Sequence, residues 1–253
     1  MPTQTQDPAV DSLQAPAVEA PRAHAHIESI THVEPQPLLE PIRQVKRHSI
    51  HWKRKVFHVL GVGAAGFTYA FAPVGWAAAA VILGSIALIF VTLDLARFYV
   101  PSLNKKVKRD FGSLMRDYEL DGISGSSWFF IAGVASILLF PKVAVCLGFI
   151  YLAIGDPVAS SVGVKFGRIK IPGGKSLEGS LAFFAICSLV GTIVLVTAFG
   201  YAWASAAILA SVAAVAGAFA EWLPLNRKLD DNFTVPLITS ALVSGILAAG
   251  LLV

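Results

Sequence analysis

The chain alternates between long apolar runs and short polar stretches, and the polar stretches carry almost all of its charge. A helix needs about 20 mostly apolar residues to cross the hydrocarbon core of a bilayer. Candidate spans are 56–73, 75–93, 127–141, 142–155, 180–200, 203–221 and 235–253. The third and fourth are short and parted only by Pro141 and Lys142, which reads as a tight helical hairpin. The first carries His58 near one end. These runs lack the period-2 alternation of a barrel strand, and backbone groups in lipid must be satisfied internally, so helices are predicted throughout. The predicted fold is an all-α polytopic membrane bundle of about seven transmembrane helices.

Composition sharpens this picture. The chain is 55% hydrophobic and 14% charged, against about 25% charge in a typical soluble domain. That excludes an ordinary soluble enzyme, a disordered chain and a disulfide scaffold. Cys146 and Cys187 both lie in apolar runs, as core residues do, and form no metal or redox pattern. Residues 1–42 differ from the rest. They hold six acids and one basic residue, Arg22, with abundant Pro, Ala and Gln and no apolar periodicity. This segment is expected to be a disordered tail, and without an apolar core region it is not a signal peptide. Its His24, His26 and His32 lack further ligand spacing. Residues 43–253 are expected to form one membrane-embedded domain.

The basic residues predict the orientation. Six lie in 43–55, six in 97–116, four in 165–175, and two more are Arg227 and Lys228. Only Lys142 falls in a loop on the opposite side. Cytoplasmic loops carry an excess of Lys and Arg, so the N-terminus is expected in the cytoplasm. Every charged, glycine-rich loop then gathers on the face reached by cytoplasmic nucleotides.

Five clusters on that face carry candidate chemistry. Lys53-Arg54-Lys55-Val-Phe-His58 opens the first span. Arg54 and Lys55 suit phosphate oxygens, and His58 lies one turn beyond Arg54; a juxtamembrane cluster holding anionic lipid is the simpler alternative. The loop from Asp94 to Ser127 contains Asp94 and Arg97 three apart, Arg116 and Glu119 three apart, and Gly122-Ile-Ser-Gly125-Ser-Ser127. A solvated amphipathic helix with ordinary ion pairs is the simpler reading of these charges, and a loop and helix N-cap the simpler reading of the Gly/Ser run.

Gly155-Asp156-Pro157-Val-Ala-Ser160-Ser161-Val-Gly163-Val-Lys165-Phe-Gly167 is the most informative stretch. Asp at an N-cap followed by Pro is a helix-start pattern, so a new helix is predicted at Asp156. A carboxylate at membrane depth costs about 2.5–3.5 kcal/mol, whereas a cap returns about 1 kcal/mol. Asp156 therefore calls for a cationic partner, either Mg²⁺ or a basic residue. The fourth cluster, Lys170-Ile-Pro-Gly173-Gly174-Lys175-Ser176-Leu-Glu178-Gly179-Ser180, is not a Walker A loop, because Ile169 stands where its first glycine belongs. It still offers backbone N–H groups, a lysine, a hydroxyl and an acid, and Glu178 is a candidate second metal ligand or helix-start acid. The last cluster runs from Glu221 through Asn226 to Asp230-Asp231-Asn232. Its acids either cap a helix or, through Asp231 and Asn232, complete a metal–phosphate site.

Taken together these motifs resemble the diacylglycerol/polyprenol kinase family, which includes CTP-dependent diacylglycerol kinases, dolichol kinases, and phytol and farnesol kinases. The matching residues are Arg54-Lys55-x-x-His58, Arg116-x-x-Glu119 with Gly125, Gly155-Asp156-Pro157-x-Ala159-Ser160-x-x-Gly163-x-x-x-Gly167, Lys175-Ser176-x-Glu178-Gly179-Ser180, and Asp231-Asn232 with Pro236. One element departs from the family pattern: Ser124-Gly125-Ser126-Ser127-Trp128 stands where Thr-Gly-x-Thr-Tyr is usual, a change expected to tune the substrate.

The resemblance implies transfer of the γ-phosphate of CTP to the hydroxyl of a membrane lipid alcohol, with Mg²⁺ as cofactor. On that reading Asp156, Lys175, Arg54, Lys55 and His58 are catalytic. Gly163, Gly167, Ser176, Gly179, Arg116, Glu119 and Ser160 bind nucleotide, and Asp156, Glu178 and Asp231 hold the metal. Partners are the lipid alcohol, the nucleotide and the bilayer, with no nucleic acid. The oligomeric state stays open, since Ala77–Ala80 can pack within one chain or between two. The stretch Pro172–Gly179 also resembles phosphatidate cytidylyltransferases, but their C-terminal His-Gly-Gly signature has no counterpart, because no histidine follows His58. A membrane transporter, with Asp156 as coupling-ion site, or a membrane scaffold is the alternative from another class.

Overall fold

The structure, a computed structural model, describes residues 52–171, 174–223 and 230–251. The N-terminal tail with its three histidines, Pro172, Gly173, Arg227 and Lys228 lie outside the described residues. The described chain is all helical, without a strand; a single antiparallel bridge joins Lys170 and Ser176.

In chain order the helices are α1 (Trp52–Phe71), α2 (Trp76–Tyr99), α3 (Pro101–Phe111), α4 (Gly125–Leu139), α5 (Lys142–Ile150), α6 (Asp156–Phe166), α7 (Leu177–Phe199), α8 (Trp203–Trp222) and α9 (Asp231–Ala248). A π-helical turn, Tyr151–Gly155, joins α5 to α6 as one continuous helix, and a short 3₁₀ turn spans Asp117–Leu120. Five helices are long and apolar enough to cross a membrane: α2, the continuous Lys142–Phe166, α7, α8 and α9. The chain is thus built as an integral membrane protein. Two of the seven expected spans differ from these five. Helix α4 is only 15 residues long, and α1 begins on Trp52-Lys53-Arg54-Lys55, so charge occupies its first turn.

The core sits on α5. Residues from Ala144 to Ala153 are almost wholly buried, and α1, α4, α7 and α9 pack around them. α8 closes the bundle against α7 and α9, and α2 lies outside against α4. Val81, Ile82, Leu88 and Ile89 of α2 are more than half exposed, as lipid-facing side chains are. Cys146 and Cys187 are buried free thiols, as expected from their apolar surroundings.

Two expectations are corrected. The turn at Phe140–Pro141 is the predicted hairpin, but its second arm does not end at 155. Asp156 has helical dihedrals (φ −60°, ψ −48°) and is no N-cap. Pro157 lacks an N–H and its ring crowds the preceding turn; the chain accommodates it by widening that turn into the π form and continuing as helix. The stretch after Asp94 does hold the expected amphipathic helix: it is α3, whose exposed Lys105, Arg109 and Phe111 suit a membrane–water interface. Finally, Asp94 and Arg97 are no solvated pair: they form a 2.7 Å ion pair with both side chains buried.

Close helix contacts depend on glycine at the π turn. A Cβ on Gly155 would collide with the Phe183 ring and come within 2.8 Å of the Cys187 sulfur. Phe183 is fully buried and has no room to yield. Gly155→Ala is expected to destabilise the protein by about 1–3 kcal/mol, the usual cost of overpacking. Gly245→Ala, where a Cβ meets nothing within 4 Å, should instead be neutral or gain up to about 1 kcal/mol. Thermal melts of the two variants in the same detergent check the contrast.

Candidate functional site

The polar ends of six helices meet on one side of the bundle. The site uses the N-terminal turns of α1, α4, α7 and α9, the C-terminal turn of α8, and the start of α6. Lys175 is at its centre. Gly174 takes a left-handed conformation (φ +78°), and the Ile171 N–H bonds to the Lys175 carbonyl at 3.1 Å. This turn carries the Lys175 ammonium to within 3.4 Å of Glu221 Oε1, 3.4 Å of Asp231 Oδ2 and 4.0 Å of Asp156 Oδ1. Burial alone would lower its pKa, but Glu221, Asp231 and Asp156 outweigh that and hold Lys175 protonated, above the ordinary lysine value.

Arg116 is the second cation. It clamps Asp231 through two nitrogens at 3.0 and 2.9 Å and reaches Asp230 at 2.9 Å. Burial opposes its charge, yet Asp231 and Asp230 raise its pKa well above the usual arginine value. The Tyr118 hydroxyl donates to Asp230 at 2.7 Å, and burial raises that phenol's pKa. Asp230 is the N-cap of α9, accepting from the Asn232 N–H at 2.9 Å. Burial first, then the neighbouring Asp231 charge, push its carboxyl up to about 7. The expected Arg116–Glu119 ion pair does not form among the described residues. Arg116 is the extended N-cap of the 3₁₀ turn (φ −78°, ψ 157°) and meets Glu119 through its backbone, its carbonyl accepting from the Glu119 N–H at 2.9 Å, while the Glu119 side chain is buried near Gly125, its carboxyl pushed up by burial.

At the mouth of α1, Lys55 Nζ donates to Ser161 Oγ at 2.7 Å and reaches the Pro157 carbonyl at 3.4 Å. His58 is close enough to Asp156 and Asp231 to feel both charges, and its buried Nε2 has no hydrogen-bond partner among the described residues. Arg54 is half-buried, and its charge acts on Glu119.

Several expected residues lie elsewhere. Glu178 points away from the cluster: its carboxylate accepts from the backbone N–H of Arg168 at 2.9 Å and of Ile169 at 3.1 Å. Ser176 caps α7, accepting from the Gly179 N–H at 3.2 Å. Gly163, Gly167 and Gly179 allow α6 to press against that cap. A Cβ on Gly163 would lie 2.9 Å from Ser176 Oγ, and one on Gly179 would lie 2.7 Å from the Ala159 carbonyl. Ser160 Oγ bonds back to the Pro157 carbonyl at 3.3 Å. Conversely, Glu221 and Asp230 belong to the cluster although the motif reading did not select them. An acid ending the Ala-rich run of α8 was the available signal for Glu221, which is held in place by its neighbour Trp222, whose indole donates to Ser180 Oγ at 2.7 Å.

Four carboxyl groups thus share two cations, so a polyphosphate entering the site would compete with them for Lys175 and Arg116. Among the described residues no three His, Cys, Asp or Glu side chains form a preassembled metal site. Mg²⁺ is commonly held by one or two carboxylates together with substrate phosphates, and the hard oxygen donors of Asp156 and Asp231 fit that pattern.

Relatives of the chain carry names that match this chemistry. The Schizosaccharomyces pombe protein named CTP-dependent diacylglycerol kinase 1 is 30% identical over 162 residues, 60% of this chain and 73% of the relative. The chain belongs to the diacylglycerol/polyprenol kinase family. Another relative in that family, the Saccharomyces cerevisiae CTP-dependent diacylglycerol kinase 1, is 28% identical over 182 residues, covering 63% of this chain and 61% of the yeast protein. A Glycine max protein named probable phytol kinase 1, chloroplastic, is 30% identical over 132 residues, 48% of this chain and 43% of the relative. No family model and no solved structure matches the chain.

Proposed function

We propose that the protein transfers the γ-phosphate of CTP to the hydroxyl of a membrane lipid alcohol: a diacylglycerol, a polyprenol or a phytol-like prenol. The observation that carries this reading is the convergence of Lys175, Arg116, Asp156, Glu221 and Asp231 at one end of the helices, beside an unpartnered His58 nitrogen. Counted together with the five long apolar helices, α1 and α4 bring the spans to seven, with a cytoplasmic N-terminus. The site then faces cytoplasmic CTP on one side and the bilayer on the other.

In this mechanism Asp156 and Asp231 would hold Mg²⁺, which would supply positive charge to the triphosphate oxygens. Lys175 and Arg116 are fixed cations that exchange carboxylate for phosphate contacts as nucleotide enters. Arg54 and Lys55 approach from α1 and offset charge developing on the transferred group. His58 Nε2 accepts the proton of the lipid hydroxyl. The lipid oxygen forms a bond to the γ-phosphorus while the bond between that phosphorus and the β–γ bridging oxygen breaks. The products are a lipid monophosphate and CDP. Little covalent work falls to the protein; positioning and fixed charge carry the catalysis.

The test uses protein in detergent with Mg²⁺, mixed lipid alcohols, phosphatidate, and CTP labelled at either the α or the γ phosphate. Label from the γ position is expected in lipid, and the labelled product names the acceptor. Label from the α position would instead make the protein a cytidylyltransferase. Label from neither position, with ion or solute flux in vesicles, would favour a transporter.

A further inference from the structure

Helix α1 changes its role along its length. From Val62 to Ala70 one face packs on α5 and the π turn, with Gly63 and Gly66 allowing close approach to Ala153 and Ile150. Nearer its N-terminus α1 faces α6 across a cleft that the Lys55–Ser161 hydrogen bond bridges. Trp52, Val56, Val59 and Leu60 line one wall of a groove of about 480 Å³, and Val158 and Val162 of α6 line the other. The four α1 side chains are between 38% and 68% exposed, so the groove opens sideways, toward where lipid would lie.

The groove has one polar end. Lys55 and Ser161 are the polar side chains on its wall, and they are hydrogen-bonded to each other across it. Lys55 also donates to the carbonyl of Pro157, the residue after Asp156, at 3.4 Å, so this end adjoins the acidic cluster. His58, three residues along α1, has a buried Nε2 without a hydrogen-bond partner among the described residues. The cleft is therefore apolar along its length, open to the bilayer and closed at one end by hydrogen-bonding groups beside the phosphate site.

We infer that the groove between α1 and α6 receives the hydrocarbon chain of the acceptor lipid alcohol, which enters laterally from the bilayer and presents its hydroxyl past Lys55 and Ser161. This rests on the lipid kinase reading above and adds where the acceptor binds. Matching one apolar chain and one terminal hydroxyl to this shape is a problem of complementarity: the wall supplies apolar area, and the Lys55–Ser161 bridge supplies donors that fix the hydroxyl end.

The test is photolabelling of the full chain in phosphatidylcholine vesicles with a long-chain alcohol bearing a diazirine in its hydrocarbon tail. Saturable label is expected in the α1 segment around Val56–Leu60 and the α6 segment around Val158–Val162. Excess unlabelled alcohol should compete for it, whereas label on the lipid-facing side of α2 should not be competed. Val59→Trp, which fills the groove, is expected to raise the lipid KM at least fivefold and leave the CTP KM within twofold; Val81→Trp on α2 is the control. Competable label confined to other helices, or chain-to-chain crosslinks through α1 and α6, would overturn the groove. If Val59→Trp fails to fold, the labelling map of the unmodified chain decides. Phosphate transfer without groove labelling removes only the groove assignment. Groove labelling without phosphate transfer removes the kinase reading and leaves a lipid-alcohol binding site.

Discussion

Asp156→Asn should lower γ-phosphate transfer by about 10²–10³-fold or more while leaving the protein folded. The size follows from removing one fixed charge at the reacting phosphates in a water-poor site, where a single well-placed electrostatic group carries about that much. The fold should survive for a geometric reason. Asp156 lies inside a continuous helix, and its side chain holds no cap or turn. Its ionic partner Lys175 keeps Glu221 and Asp231, both nearer at 3.4 Å. Asparagine fills the same volume and relieves the burial of a charge. The variant should therefore melt no lower than the parent, and its loss should fall on kcat. Glu178→Gln is the informative comparison. Its carboxylate is occupied by the backbone of Arg168 and Ile169 and does not reach the cluster, so turnover should fall by less than about tenfold. Near-normal turnover in Asp156→Asn, or an equal loss in both variants, would contradict the assignment of the site to the Lys175 cluster.

The contrast between these two acids shows what a sequence can and cannot carry. Asp156 is legible because an acid within an apolar run is costly to bury and so demands a partner. Glu178 has the same residue type in an equally suggestive stretch, but first-turn acids have local uses, and the backbone of the 168–169 turn takes it. Local pattern also misreads Pro157. Asp-Pro marks a helix start and equally marks a helix that widens to admit the proline, and only the packing of α1, α7 and α9 around 142–155 selects the second. The most consequential contacts have no local signature at all. Arg116 meets Asp230 and Asp231 from more than a hundred residues away. Glu221 joins them only because α8 and α9 are packed side by side. The glycines show the same ambiguity. Gly163, Gly167 and Gly179 permit close approach of something; in the structure that includes the Ser176 cap and the neighbouring helix backbone. The all-helical architecture was readable because lipid leaves a long apolar segment few alternatives. The site was readable only as a set of fragments, since its assembly depends on which helix ends become neighbours.

Arg97→Met is the substitution expected to cost most stability, and its effect should spread from a position outside the reacting groups. The guanidinium is buried and fully used: it pairs with Asp94 at 2.7 Å and donates to the carbonyls of Glu119 (2.7 Å), Leu120 (3.0 Å) and Gly122. Asp94 in turn accepts from the Ser124 N–H at 2.8 Å and the Ser127 hydroxyl at 2.7 Å. Together they fasten the segment from Glu119 to Ser127 onto the end of α2, and Arg116 enters the site from the turn that leads into that segment. Methionine keeps the packing volume but leaves a buried carboxylate unpaired and three carbonyls without their donor. Breaking one side of a buried ion pair costs about 3–5 kcal/mol. The melt should shift down accordingly, and amide exchange should quicken between Arg116 and Ser124 before it does in α5. Arg97→Lys should rescue little, because an ammonium cannot span the same set of acceptors. Adding Asp94→Asn to Arg97→Met should recover part of the lost stability, since the unpaired buried charge is then gone. It should not restore activity, because Arg116 stays unanchored. A single Arg97→Met variant with an unchanged melt and unchanged exchange in that segment would show that Arg97 does not hold Arg116 in place.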